Sequence, residues 1–311
     1  MWGLSMKKTY FNYPVPHLIG RIDYSGQHKF DPDGDTVHLR DPLLLVNGNP
    51  VSPQNGRFTV WMPGNLKPKF IQVKGSSSPY VPIRFEGIDA PEEHYRATPF
   101  VLKKDDGSET KIEFDPQKQH DERSQARWKP ATEYLLDVLQ RAGWALVTLD
   151  REVTDRYGRV LGYLYASDGK GRRGRFMSLE LVKRGRAFPL LFESAGDLIP
   201  MFLNAANHAR AASKGVWQHY VDRPLTYKGT YPRPARYTQA EPTTQANGRL
   251  NLPVVFRRIV DAEQLKGLSL ADALRKYDAI DYGTGVLVPG DRYHLIPIER
   301  RIWAPHRYDT P

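Results

Sequence analysis

The alternation of apolar and polar residues predicts strands in the first part of the chain, up to residue 90. Apolar residues alternate around Ile19, Ile22, Val37 and Leu39, with turn residues between them, which predicts two strands joined as a hairpin. Short β-rich runs follow, separated by Gly, Pro and Ser. These runs are FTVWM, FIQV and VPIRFEGI. The N-terminal part is therefore predicted to be mostly β.

The pattern becomes helical after Pro130, which suits the first turn of a helix, and Gly143 suits its C-terminal end. The apolar residues at helical spacing are Ala131, Tyr134, Leu135, Val138, Leu139 and Ala142. A β-hairpin follows around the turn 155–158, and two more helices are predicted. One begins near Ser178, whose hydroxyl can cap it, and ends at Gly185; the other covers 198–214. Strands first and helices later predict an α+β fold.

The C-terminal third differs in composition. Residues 221–252 contain several prolines among Thr, Gln and Gly, and are interpreted as a linker. Beyond them, VVFRRIV, the helical pattern SLADALRKY, then GVLVPG and YHLIPI predict a small β-α-β-β appendage over residues 253–311. The predicted division is thus a main domain over 1–220, the linker, and an appendage of unknown role.

The net charge of the chain indicates which kind of partner it binds. The 311 residues carry 45 Lys and Arg against 35 Asp and Glu, a net charge of +10, and such a field attracts polyanions, of which nucleic acid is the commonest. Cysteine is absent, which excludes disulfides, thiolate metal sites and cysteine nucleophiles. No apolar stretch has the length of a signal-peptide core or a membrane span, so we expect a cytoplasmic protein with no membrane partner.

Two acidic clusters stand out in this basic chain, DGDT at 33–36 and DAPEE at 89–93. Either cluster alone is ordinary turn or helix-start chemistry. Together with Arg84 inside a strand and Arg159 just after a turn, they form a less accidental set. Carboxylates held close together repel one another unless a cation lies among them, and oxygen ligands favour Ca²⁺ or Mg²⁺ over Zn²⁺. Arginines beside such a cation suit a phosphate.

Five short blocks in one order carry a family resemblance. They are DGDT at 33–36, RFEGIDAPE at 84–92, DRYGR at 155–159, LVKRGRA at 181–187 and KGVW at 214–217. In this order they resemble the staphylococcal nuclease (thermonuclease-like) family over residues 17–220, with insertions near 41–80 and 94–122. The resemblance implies a five-stranded OB-fold β-barrel with packed helices that cleaves DNA and RNA with Ca²⁺, or alternatively Mg²⁺, as cofactor.

The resemblance also implies a metal site. By motif position, Asp35 and Asp89 are the carboxylate ligands of the metal ion, and the backbone carbonyl of Ala90 is a further ligand. Asp33 and Thr36 lie beside them and are expected to provide electrostatic support.

The catalytic roles follow from the same comparison. Glu92 takes the position of the general base that activates the attacking water, and Arg84 and Arg159 match two arginines that bind the phosphate and stabilise its growing charge. Glu93, next in the loop, is interpreted as a solvated neighbour.

Other polar residues have less specific interpretations. The run GKGRRGR, residues 169–175, is either a solvated hairpin tip or a contact for the nucleic-acid backbone. Its cationic side chains are Lys170, Arg172, Arg173 and Arg175. The histidines His38, His94 and His120 lack paired metal-ligand spacing and are expected on the surface, while Trp217 is expected in the core.

Two classes of function remain open at this point. The first is a metal-dependent nuclease, and the alternative is a noncatalytic OB-fold module that only binds nucleic acid. The appendage could recruit a protein partner. Because every matched block lies before residue 221, we expect the appendage to be dispensable for chemistry.

Overall fold

The computed structural model describes residues 15–22, 34–63, 66–103, 108–118, 121–125, 129–155, 157–190, 198–219 and 253–268. In this part of the chain the strands are β1 His17–Ile22, β2 Thr36–Val46, β3 Asn49–Val51, β4 Arg57–Val60, β5 Lys69–Gln72, β6 Tyr80–Phe85, β7 Gly87–Asp89, β8 Phe100–Lys103, β9 Glu109–Ile112, β10 Trp144–Thr154, β11 Val160–Ser167, β12 Arg173–Phe176 and β13 Phe188–Leu190. The helices are α1 Lys129–Ala142, α2 Met177–Lys183, α3 Ile199–Ala211, α4 Val216–His219 and α5 Pro253–Gln264. The fold mixes a large sheet with helices, in agreement with the sequence pattern.

Five strands of the large sheet pair in a closed circuit. Strand β1 pairs with β10 and β2, β10 pairs with β11, β11 pairs with β6, and β6 pairs back to β2. Every pairing in the circuit is antiparallel except β6 with β11, which is parallel. The long strand β2 closes the circuit because its first half pairs with β6 and its second half with β1.

The hydrophobic core fills this circuit and continues beneath helices α1, α2 and α3. Helix α1 begins and ends as predicted, with Gly143 at a φ of +74° directly after it. The β10–β11 hairpin is also confirmed. Trp217 is buried and meets the Phe188 ring edge-on at 5.0 Å, which confirms its core position.

Several local predictions differ from the structure. Ser178 lies inside α2 rather than capping it; Phe176 is the N-cap residue and makes no side-chain cap bond. The helix predicted over 198–214 ends at Ala211. The run VVFRRIV belongs to helix α5, so the predicted strand is wrong. Phe256 and Val260, four residues apart, are both buried, and a short apolar run alone cannot distinguish this helical pattern from a strand.

The two predicted insertions contain hairpins, β4 with β5 in the first and β8 with β9 in the second. The second insertion shares a small apolar cluster with the residues directly after α5, formed by Ala97, Ile112, Leu265 and Leu268. The interpreted linker, and the appendage after residue 268, lie outside the described residues. Within the described ranges, every helix is too short or too polar to cross a bilayer.

Candidate active site

Four of the predicted site residues meet because the ends of their strands meet. Asp35 immediately precedes β2, Arg84 lies in β6, Asp89 ends β7, and Arg159 immediately precedes β11. In the sheet register, Arg84 is opposite Thr36 on one side and Leu161 on the other. The adjacent ends of β2, β6 and β11 therefore bring residues from three distant parts of the sequence to one end of the strand circuit.

A glycine sets the turn that carries Asp89. Gly87 has a φ of +85°, and a Cβ at this position would lie 2.7 Å from the ring of Phe202 in α3. Only glycine combines this backbone conformation with such a close approach. Strand β7 then pairs with β13, where Asp89 is opposite Phe188.

Arg84 joins the two aspartates. Its guanidinium contacts Asp35 Oδ2, and its Nη2 donates to Asp89 Oδ1 at 3.1 Å. All three side chains are largely buried. The backbone N–H of Ala90 also donates to Asp35 Oδ2, at 2.9 Å, which ties the DAPEE loop to the start of β2. The Arg84 guanidinium thus lies between the two carboxylates. Its positive charge offsets theirs, and buried charges need such a partner.

Arg159 approaches the same cluster through Thr36. Its Nη1 donates to Thr36 Oγ1 at 3.4 Å, and Thr36 Oγ1 donates to Asp35 Oδ1 at 3.2 Å. The arginine is oriented by Asp155, which accepts from its Nε at 2.8 Å. Its side chain is 31% exposed, more than that of Arg84, so it borders solvent.

Glu92 is the third carboxylate of the site. Its backbone N–H donates to Gln125 Oε1 at 3.2 Å and its carbonyl accepts from the Gln125 N–H at 2.7 Å. The side chain is 13% exposed. Burial raises the pKa of Glu92 to about 7; Arg257 opposes this rise, and the charge of Asp89 adds to it. A carboxyl group with a pKa near neutrality suits proton transfer.

Arg257 is a site residue that the sequence analysis missed. It lies in α5, and its Nη1 and Nη2 donate to Asp89 Oδ1 and Oδ2, both at 3.2 Å. The same Nη1 contacts Glu92 Oε1. Arg257 is 165 residues from Glu92 in the chain and belongs to no recognisable motif, so no local signal in the sequence identified it.

Two further predictions about this region are wrong. Glu93 is buried rather than solvated, and His94 contacts it at 3.7 Å. His38 is also buried, and its ring stacks on Tyr80 with centroids 4.3 Å apart. His94 has an exposed side chain, as expected, while Asp33 and His120 lie outside the described residues.

The GKGRRGR run, which we call the cationic turn (residues 169–175), lies away from this cluster. Strand β11 starts beside Arg159 and ends at Ser167, so its 8 residues separate the tip of the turn, residues 169–172, from the cluster by about 25 Å. Arg172 Nε donates to Asp168 at 2.6 Å, and an Nη of Arg173 is 3.2 Å from His17 Nε2. Residues 169–172 thus lie beyond the far end of β11, and β12 runs back beside it with Arg173 opposite Ser167.

The donor chemistry of the cluster fits a hard cation. Asp35, Asp89 and the carbonyl of Ala90 supply oxygen atoms alone, which Ca²⁺ and Mg²⁺ prefer. Among the residues that the structure describes, no three Asp, Glu or His side chains are grouped as a metal site. Arg84 and Arg257 both donate to Asp89. A cation bound here would therefore share the Asp89 carboxylate with these two guanidinium groups.

Buried carboxylates interleaved with guanidinium groups define a site that can bind an anion and move a proton. The comparisons with known proteins agree with a site of this kind. Residues 82–219 match the family model of staphylococcal nuclease homologues. The family resemblance seen in the sequence is thereby confirmed over residues 82–219, which contain four of its five blocks. Arg84, Asp89, Glu92 and Arg159 lie within the match, while Asp35 and Arg257 lie outside it.

The chain is also similar to a curated bacterial protein. It is 29% identical over 189 residues to the endonuclease YhcR of Bacillus subtilis (strain 168). The similarity covers 60% of this chain and 11% of the relative, so the chain spans about a tenth of that protein's length.

Proposed function

We propose that this protein is a metal-dependent nuclease that hydrolyses phosphodiester bonds of DNA, RNA or both. The observation that carries the proposal is the contact chain from Asp35 through Arg84 to Asp89, with Glu92 beside it and Arg159 joined through Thr36. The nuclease-homologue domain and the similarity to a protein named an endonuclease support the same function.

The sheet topology supports an OB-fold barrel as the scaffold. Five strands in a closed circuit, with one parallel pair, are the arrangement expected of this small barrel. The active-site residues lie at one edge of it, where strand ends and loops meet, and the strands hold them in place.

Glu92 is proposed as the general base. Water is a poor nucleophile, and a carboxylate that removes a proton during attack on phosphorus makes it a better one. The proton moves to the Glu92 carboxylate, and the oxygen–phosphorus bond forms as the bond to the leaving oxygen breaks. Burial raises the pKa of Glu92, which makes its carboxylate a stronger base than an exposed one.

Arg84 and Arg159 are proposed to bind the nonbridging oxygens of the phosphate. Each guanidinium presents several N–H donors in a fixed plane, and that geometry matches a phosphate better than an ammonium does. Their positive charge stabilises the negative charge that grows on these oxygens in the transition state. Because both are already oriented by aspartates, Arg84 by Asp35 and Asp89 and Arg159 by Asp155, little reorganisation is needed.

Ca²⁺ is the proposed cofactor, with Mg²⁺ as the alternative. Asp35, Asp89 and the Ala90 carbonyl would hold it, with Asp33 and Thr36 as electrostatic support. When bound, it supplies positive charge that neutralises the phosphate and favours attack by water. The four cations of the turn, Lys170, Arg172, Arg173 and Arg175, are proposed to contact the nucleic-acid backbone.

The competing function is a noncatalytic nucleic-acid-binding module. One observation favours it: Arg257 contacts both carboxylate oxygens of Asp89, as a permanent replacement for a metal would. Plasmid DNA and a long RNA, each incubated with the full chain in Ca²⁺, Mg²⁺ or chelator, decide between the two. We expect cleavage with a divalent cation and none with chelator. Nucleic-acid binding without cleavage under every condition would establish the binding module instead.

A further inference from the structure

A short C-terminal segment, residues 253–268, lies against the active site, and we call it the docked segment. It contains α5 and the turn after it. The family match ends at residue 219, so this segment is additional to the family domain. The segment also lies against the second insertion, residues 94–122, through both polar and apolar contacts.

The polar contacts are buried and specific. Tyr95 donates from its hydroxyl to Asp261 Oδ1 at 2.9 Å. The amide of Gln264 is used at both ends: Oε1 accepts from the backbone N–H of Ala97 at 2.9 Å, and Nε2 donates to the carbonyl of Asp121 at 2.7 Å. Asp261 and Gln264 are completely buried. Buried polar groups with matched partners fix one arrangement, since losing a partner would leave the other unpaired.

Backbone and apolar contacts extend the same interface. The Asp115 N–H donates to the carbonyl of Gln264 at 2.9 Å, and the Lys266 N–H donates to the carbonyl of Glu113 at 2.8 Å. Leu265 and Leu268 pack with residues of the insertion in the small apolar cluster. The docked segment is therefore held in one register, and α5 presents Arg257 to the carboxylates from a fixed position.

Arg257 joins the carboxylate of Asp89 to that of Glu92. Its Nη1 contacts both Asp89 Oδ1 and Glu92 Oε1, while its Nη2 donates to Asp89 Oδ2 at 3.2 Å. The Arg257 side chain is 20% exposed and that of Glu92 is 13% exposed, so this ion pair is largely shielded from water. A largely buried carboxylate needs such a partner to hold its charge and its orientation.

We propose that Arg257 is a positioning residue, which holds the Glu92 carboxylate beside Asp89 for reaction. The catalytic unit then extends through residue 268, in contrast to the dispensable appendage expected from the sequence. This proposal rests on the proposed nuclease function. The planar fork of an arginine can fix two carboxylates relative to each other in a way that a single ammonium does not. A general base displaced by about 1 Å can lose a hundredfold in rate.

Substitution in the full chain tests this role through Glu92. Arg257→Gln should lower kcat by about 10- to 100-fold with little change in KM, and Arg257→Lys should lie between it and wild type. In a Glu92→Gln background, Arg257→Gln should change kcat by less than about threefold, because residues that act as a unit are not additive. Lys266→Gln is the matched control, since it removes one charge from an exposed position of the same segment and should leave kcat unchanged.

The alternatives give different results. Equal losses in the wild-type and Glu92→Gln backgrounds would show that Arg257 acts only through folding or net charge, and a kcat above wild type would show that it blocks the site; either result overturns the proposal. If Arg257→Gln does not fold, Arg257→Lys replaces it in the same two backgrounds. An unchanged kcat in Arg257→Lys would then overturn the proposal. A wild-type chain without cleavage overturns the proposed function and this proposal together, whereas an active wild type with additive variants overturns this proposal alone.

Discussion

The active-site cluster and the cationic turn contain the same kinds of residue in opposite surroundings. In the cluster, burial raises the pKa of Glu92 to about 7. Beside the turn, the backbone N–H of Lys170 lowers the pKa of the exposed Asp168. The buried Glu92 thus resists ionisation more than an ordinary carboxyl group does, while the exposed Asp168 keeps its charge more readily. Acidic and basic residues that are close together in the sequence therefore indicate catalysis only where the fold also shields them from water.

The arginines of the two regions also differ in how far they are buried. Arg84 and Arg257 are largely buried and each contacts two carboxylates. Arg172, in the turn, is mostly exposed and pairs with the nearby Asp168. Exposed pairs of this kind contribute little to stability and are screened by salt, so Arg172 can exchange its partner for a phosphate with little loss. We expect substitutions in the cluster to affect chemistry, and those in the turn to affect binding.

The largest effect is expected at Glu92. Glu92→Gln keeps the size of the side chain but removes its ability to accept a proton, so kcat should fall by roughly 10²- to 10⁴-fold. Affinity for DNA in Ca²⁺ should change little, because Arg84 and Arg159 remain. Single-turnover cleavage and filter binding would measure the two quantities.

Glu93→Gln is the matched control for that experiment, because Glu93 is the adjacent carboxyl group and is also buried. Its kcat should stay close to wild type. Normal turnover in Glu92→Gln together with a large loss in Glu93→Gln would move the general base by one residue and refute the assignment.

Asp35 should give the next largest effect. Asp35→Asn removes a negative charge that offsets the desolvation of a divalent cation, so Ca²⁺ affinity should fall by about 10- to 100-fold. Calorimetric titration measures this directly, and a higher Ca²⁺ concentration should partly restore cleavage. Asp168→Asn removes the same charge near the cationic turn and should leave Ca²⁺ affinity unaltered. Equal affinity in Asp35→Asn and wild type would remove Asp35 from the ligand set.

The sequence predicted the elements that depend on local patterns. Helix α1 has its apolar residues at helical spacing and a glycine after its last turn, and the β10–β11 hairpin has a compact turn, so both follow from neighbouring residues. The meeting of Arg84 and Asp89 was also predictable, because the family blocks preserve their order and spacing.

Arg257 was not predictable, because its role depends on contacts between parts of the chain far apart in sequence. The local pattern of helix α5 fits a strand as easily as a helix, and its contacts through Asp261 and Gln264 are made with the distant second insertion. The burial of Glu93 and His38 was missed for the same reason, since polar residues in loops and strands are exposed unless distant segments cover them.

A smaller effect, on stability, is expected at Glu86, which is buried near the cluster. Burial raises the pKa of Glu86 from 4.5 to about 8; the nearby charges of Asp150 and Asp155 add to the rise and that of Arg84 opposes it. Since the folded pKa is raised, its contribution to stability is fully present below pH 4.5 and is lost as pH increases through 8. Wild type should therefore lose stability over this interval.

Glu86→Gln should remove that pH dependence, because the amide does not ionise. At pH 8.5 it should be more stable than wild type by on the order of 1–2 kcal/mol, with the difference shrinking towards pH 5. Urea unfolding at the two pH values measures it. Glu152→Gln, at an exposed residue paired with Lys69, is the control and should follow wild type at both. Parallel curves for wild type and Glu86→Gln would show that Glu86 has a partner that stabilises its charge.

The smallest effect is expected in the cationic turn, where a double substitution, Lys170→Ala with Arg172→Ala, should weaken DNA binding by about two- to fivefold at physiological salt. In a Glu92→Gln background, which prevents cleavage, the slope of log Kd against log salt should decrease by about one for each phosphate that the turn no longer binds. Lys129→Ala with Lys183→Ala removes the same charge from exposed helix positions. If this control reduces the slope equally, the turn contributes only net charge and is a solvated hairpin tip; a reduction confined to the turn variant shows that its cations contact the nucleic-acid backbone far from the site of cleavage.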